Sequence, residues 1–288
     1  MTGKKAPSKS PKERVVAAKK APSKSPTKQR QKLAFSVFMI LLWAGVSVIA
    51  SQLIVGWIMV AIMGVDSFVQ PVSQAVYSAL TYILALFMVI WVPTSLSSVW
   101  QQKKAEAEGK SKLEAKRPMK VTRRLLGLNG LPTWTDVGLA PIGFIVSTLI
   151  AALLVTLFSL MPWFNATETQ SLVFNTYVAG FDRVVAFLTL VVVAPVAEEV
   201  IFRGWIYGRL RNKSAPYMSN MTSIIVSSLL VSILFGAVHM QWNVAVNVFA
   251  LSMILCAMRE ITGTIYAGIL THMIKNGIAF YLLFIAGV

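Results

Sequence analysis

The chain has 288 residues, 56% hydrophobic and 13% charged, with a mean hydropathy of +0.67 and a formal charge of +16. A water-soluble domain carries about 25% charged residues, so this composition excludes an ordinary soluble enzyme and points to a polytopic membrane protein. Residues 1 to 32 hold +10 and residues 99 to 126 hold +6; both flank apolar runs instead of lining a fold with interleaved aromatics, which argues against a nucleic-acid partner.

The octapeptide KKAPSKSP occurs at positions 4 to 11 and again at 19 to 26. Lysine, serine and proline with almost no large apolar residue cannot offset ordering entropy, so residues 1 to 32 read as a disordered basic tail. Membrane lipid is its expected partner, since juxtamembrane basic residues are drawn to anionic headgroups. Residues 33 to 63 form one apolar run about 46 Å long as a helix, too long for one upright span and too short for two. Counting it as one tilted crossing puts both positive segments on the same side.

The next spans fall at roughly residues 73 to 98, 137 to 162, 183 to 202, 222 to 239, 243 to 258 and 264 to 286. The predicted fold is therefore all-α, a bundle of about seven membrane helices. With a cytosolic N-terminus, Arg209, Arg211 and Lys213 lie inside, and the loops at 64 to 72 and 163 to 182 carry no Lys or Arg. Asn165-Ala166-Thr167 fits a glycosylation pattern, but so short a match is given no function. Cys256 is the only cysteine, so neither an intrachain disulfide nor an all-cysteine metal site is available.

Ionisable residues within apolar sequence carry the functional signal, because each costs about 2.5 to 3.5 kcal/mol at a bilayer centre on insertion scales. In APVAEEVIFRGW, Glu199 and Arg203 are four apart on one helix face, acid first, the favourable order for an ion pair. Glu198 points about 100° away, free to act as a general base. In FGAVHM, Phe235 and His239 share a face, and in HMIKN so do His272 and Asn276. Lys275 is expected to point elsewhere and snorkel. Asn243 and Asn247 would extend the His239 face only if that helix ran on, and Gln241-Trp242-Asn243 reads instead as an interfacial turn.

EExxxR, then FxxxH, then HxxxN on successive apolar helices, with TGTIYAGILTH leading into the third, resembles the CPBP family, the CAAX proteases and bacteriocin-processing enzymes also known as Abi proteins. The resemblance covers roughly residues 137 to 286 and divides the chain into the tail at 1 to 32, N-terminal helices and basic loop at 33 to 136, and a protease domain at 137 to 288. It implies an intramembrane endopeptidase of a bacterial plasma membrane, acting on a membrane-associated peptide that is prenylated or bacteriocin-like. By position Glu198 corresponds to the base that activates water, His239 to its assistant, His272 and Asn276 to oxyanion stabilisers, and Glu199 with Arg203 to the supporting pair.

A divalent metal such as zinc stays open: two histidines and a glutamate make a three-ligand set, whereas HExxH is absent. The span boundaries above set Glu198 and His239 some 15 to 20 Å apart in depth at 1.5 Å per residue. A shared site requires the Glu198 helix to continue to about Arg211 and His239 to lie deeper than drawn. The competing readings are a non-catalytic scaffold or immunity-type adaptor, and a proton-coupled transporter, which would show internal repeats.

Overall fold

The computed structural model describes residues 26–68, 70–109, 121–168 and 180–287. Most of the basic tail and the middle of the basic loop lie outside these residues. The described chain is helical without strands: α1 Pro26–Met63, α2 Val65–Phe68, α3 Pro71–Ala107, α4 Arg123–Leu126, α5 Trp134–Phe158, α6 Phe181–Ser214, α7 Asn220–Ala237, α8 Trp242–Thr262 and α9 Tyr266–Ala286. Seven of these, all but α2 and α4, are long and apolar enough to cross a membrane.

Several boundaries move from the predicted ones. Residues 26 to 32 are helical instead of part of a disordered tail. Lys28, Gln29, Arg30, Gln31 and Lys32 are good helix formers, and extending an existing helix avoids the costly nucleus. The largest change is α6, which runs on to Ser214 and so places Glu198 at its middle. In contrast α7 stops at Ala237, leaving His239 in a turn between helices, where Met240 takes the left-handed conformation at φ 56°.

Three of the long helices have an interior proline, Pro93 in α3, Pro141 in α5 and Pro195 in α6, and α3 and α6 solve the problem in the same way. A proline inside a helix lacks an N–H and crowds the carbonyl four residues back. Pro93 and Pro195 are each preceded by a π-helical stretch, Phe87–Trp91 in α3 and Leu188–Val193 in α6. The wider turn lets the helix continue through membrane depth without a break. A further π-helical stretch, Val200–Tyr207, follows Glu199 directly.

The core is built around the second half of α6. Ile201, Phe202, Trp205, Ile206, Tyr207 and Leu210 are buried against Val89 of α3, Val231 and Phe235 of α7, and Val248 and Cys256 of α8. α8 packs on α5 and α7, and α9 on α5, α6 and α8, while α1 and α3 close the other side. Large apolar side chains such as Trp57, Ile62, Leu149 and Ile233 face outward, as lipid contact requires.

Polar ties fix one end of the bundle. Arg259 donates to the carbonyls of Leu125 and Gly204, and Arg211 binds Glu260, which also accepts from Tyr207. Asp136 closes a capping box with Thr133 and accepts a hydrogen bond from Thr264. The basic segment before α5, the end of α6 and the end of α8 therefore lie on the same side, as the predicted topology needs.

Gly236 sits where α7 meets α8: a Cβ there would lie 2.9 Å from the Ala245 carbonyl oxygen. Backbone cannot retreat as a flexible side chain does. Gly236→Ala is expected to lower stability by about 1–3 kcal/mol, read as a fall in the thermal midpoint of the detergent-solubilised protein, and to disturb His239 three residues on.

Candidate functional site

A cavity of about 510 Å³ opens between α1, α3, α6, α7, α8 and α9. Glu198, His239, His272 and Asn276 all line it. Glu199 and Arg203 stand behind the wall, both wholly buried, joined by a 2.7 Å hydrogen bond from Arg203 Nη1 to Glu199 Oε1. The four-residue spacing made this pair inevitable within one helix, and the same geometry turns Glu198 away from it and into the cavity.

Each imidazole is oriented by one nitrogen, leaving the other for the cavity. His239 Nδ1 lies 2.7 Å from the Phe235 carbonyl oxygen, so Nδ1 donates and Nε2 is the free nitrogen. Burial pushes the His239 pKa down, against the upward pull of Glu198 and of the bond to Phe235, which favours the neutral ring. His272 Nδ1 lies 3.2 Å from Glu199 Oε1, and its Nε2 lies 3.8 Å from Glu198 Oε2. The ring thus bridges the two acids. Asn276 donates one amide hydrogen to the Leu190 carbonyl at 2.9 Å, and its amide has a second hydrogen.

Phe235 holds these parts in register. Its ring meets His239 edge-on at 4.9 Å and His272 at 6.0 Å, and the Arg203 guanidinium stacks over it at 4.3 Å. The spacing FxxxH therefore matters although His239 is not in the helix. Phe235 is in the last turn of α7, and the following turn brings the imidazole back over its own carbonyl.

That turn is covered from the α5 side. Asn243 and Gln241 donate to the Glu168 carbonyl, and Trp163 packs edge-on against Trp242 at 5.4 Å. Asn165 is occupied locally, its side chain accepting from Thr167. Asn247 is exposed, so the stripe continuing from His239 through Asn243 and Asn247 does not form. The helix needed to align them ends at Ala237.

The structure adds two residues to those read from the sequence. Tyr82 of α3 donates a 2.6 Å hydrogen bond to Glu198 Oε1 from 116 positions away. The sequence signal was present but unread: Gln74, Tyr77, Ser78, Thr81 and Tyr82 recur at helical spacing in an otherwise apolar run. Lys275, expected to snorkel away, lines the cavity instead. Positions three and four beyond His272 straddle its direction on a helix of 3.6 residues per turn, so Lys275 and Asn276 share that face.

Zinc chemistry can be tested against these groups. The donor types suit it, each histidine having its second nitrogen anchored by a carbonyl or carboxylate. However, no three His, Cys, Asp or Glu side chains among the described residues are gathered within reach of one ion, and one Glu198 oxygen is held by Tyr82. The arrangement as it stands does not fit a bound metal, and no step below passes through one.

Seven apolar helices define an integral multi-pass membrane protein, and the cavity between six of them presents a carboxylate, two imidazoles and a carboxamide. Residues 179–278 match the family described as type II CAAX prenyl endopeptidase Rce1-like. Over that stretch the chain is similar to this CAAX-type protease family, as the ordered motifs EExxxR, FxxxH and HxxxN led us to expect. No curated protein and no solved structure matches the chain.

Proposed function

We propose that the protein is an intramembrane endopeptidase in which Glu198 activates water for attack on a peptide bond. The observation that carries this reading is the convergence of Glu198, His239, His272 and Asn276 on one cavity from two helices and a turn, with the Glu198 and His272 side chains 3.8 Å apart. Tyr82 fixes one carboxylate oxygen; the other faces the cavity, where it takes a proton from water as hydroxide adds to the peptide carbonyl. His239, neutral and with Nε2 free, orients that water.

The developing oxyanion accepts from His272 Nε2–H and from the second amide hydrogen of Asn276. Glu199, already bound to Arg203, is the acceptor for His272 Nδ1–H, so the ring can carry both protons when the oxyanion forms. Glu198 then returns its proton to the leaving amine. Each bond made or broken is accounted for by water and these side chains.

A cytosolic N-terminus belongs to this reading, from the distribution of Lys and Arg along the sequence. The substrate in this reading is a peptide in or at the membrane, prenylated or bacteriocin-like. The decisive test is hydrolysis of candidate membrane peptides by purified protein, with Glu198→Gln as control. Cleavage by wild type alone supports the reading; activity that survives in Glu198→Gln protein overturns it.

Tyr82 acts on the base and not on the substrate in this mechanism. A hydrogen bond to a charged group contributes about 1.5–3 kcal/mol, so Tyr82→Phe is expected to lower kcat about 10- to 100-fold with KM little changed. Steady-state kinetics on any cleaved peptide separate this from a packing defect, which would reduce the amount of folded enzyme instead.

A further inference from the structure

The residues lining the cavity fall into two groups by depth. Toward the end of the bundle tied by Arg211, Arg259 and Glu260, its floor is Ile201, Phe202, Phe235 and Val248, all buried in the core. Toward the other end it is bounded by Gln52, Met240 and Leu283, all exposed, Met240 by 82%. Along α9 it extends from His272 to Phe284, about 18 Å at 1.5 Å per residue. Among the described residues, then, the path to Glu198 runs in past Met240 and is closed below Phe235.

The mouth lies at the end poor in basic residues. Lys28 at the start of α1, Lys104 at the end of α3, Arg124 before α5, and Arg211 and Lys213 at the end of α6 all stand on the floor side. Outside the cavity, Arg183 is the single Lys or Arg toward the mouth among the described residues. Trp163 and Trp242 pack edge-on beside the Met240 turn and are both more than half exposed, which sets the mouth at the membrane–water interface, where tryptophan concentrates. Since Lys and Arg are in excess on the cytosolic side, the floor faces the cytosol and the mouth faces away from it.

The walls suit an extended apolar peptide. Tyr77, Ser78, Thr81 and Tyr82 bring hydroxyls from α3, whereas Ala279, Phe280 and Leu283 bring an apolar surface from α9. A peptide backbone taken out of water needs hydrogen-bonding partners, and apolar side chains need apolar contact. Resting on the peptidase reading and its cytosolic N-terminus, we propose that Glu198 is loaded from the non-cytosolic face and that the substrate is an exported apolar peptide, presented after it has crossed the membrane. A peptide approaching from the cytosol meets the closed floor.

The test uses sided membrane vesicles and single introduced cysteines. Cys256 is buried, so the unaltered chain is the blank for a charged, membrane-impermeant maleimide. Met240→Cys and Gln52→Cys are expected to react in right-side-out vesicles and not in inverted ones. Asn212→Cys, exposed at the end of α6, is expected to do the reverse. Labelling of the mouth positions and Asn212→Cys from the same side, labelling in the opposite sense, or no labelling of either mouth position until detergent is added overturns the proposal. Using two mouth positions keeps the result independent of the folding of one variant. A peptide with an apolar segment and charged, impermeant flanks is expected to be cleaved by right-side-out vesicles alone, and to lose cleavage once Met240→Cys is labelled. Cleavage by inverted vesicles, or cleavage that survives the label, overturns the proposal as well. Sided labelling as expected with no cleavage of any peptide from either side sinks the peptidase reading and leaves the direction of access standing.

Discussion

Glu198→Gln is expected to reduce peptide hydrolysis by about 10²- to 10⁴-fold, the usual contribution of a positioned general base. Glutamine keeps the shape of the side chain and can still accept the Tyr82 hydroxyl through its carbonyl oxygen. It cannot take a proton from water. The measurement is the hydrolysis rate per folded molecule, with membrane abundance and thermal midpoint recorded beside it. Loss of rate at constant abundance is the result that the mechanism requires. Loss of abundance with no peptidase activity in either protein would mark the cluster as scaffold.

The second large effect is on the fold. Arg203 and Glu199 are both fully buried, and the guanidinium is further held against the face of Phe235. Removing one partner of a buried pair costs about 3–5 kcal/mol, because the other charge is left uncompensated in a low-dielectric interior. Arg203→Met should therefore destabilise the protein by that amount and deplete it from membranes. A second change, Glu199→Gln, removes the stranded charge and should restore much of the stability. Activity should not return with it, since the carboxylate that anchors His272 is gone. A double-mutant cycle on denaturation in detergent gives the coupling directly. Additive losses would show that the two side chains do not support one another.

These two experiments separate the layers of the site. Glu198 faces the cavity and its loss is kinetic, whereas Glu199 and Arg203 lie one layer behind and their loss is first structural. The adjacent residues Glu198 and Glu199 of α6 thus have different roles through direction alone. Gly268 shows how tightly the rear layer is packed: a Cβ there would lie 3.2 Å from Glu199 Oε2.

Much of this was legible from the chain. Hydropathy gave the seven crossings, and the residue spacing gave the Glu199–Arg203 pair and the direction of Glu198, because a helix fixes both rise and rotation per residue. What misled was treating spans as equal in depth. The end of α7 at Ala237 and the continuation of α6 to Ser214 bring His239 and Glu198 to one cavity. The α7 end has no strong local marker, since Val238, Met240 and Trp242 carry the apolar run past it, whereas the α6 end is marked by Arg211, Lys213 and Pro216 but lies beyond the apolar stretch.

By itself, then, the sequence determined a helical membrane protein, its span count and the contacts confined to one helix, since these follow from apolar periodicity and intrahelical geometry. Only tertiary packing decided that Tyr82 of α3 reaches Glu198, that Lys275 enters the cavity, and that His239 and His272 meet across Phe235. Contacts between helices depend on crossing geometry and side-chain packing summed over many residues, and no short stretch of sequence contains that information.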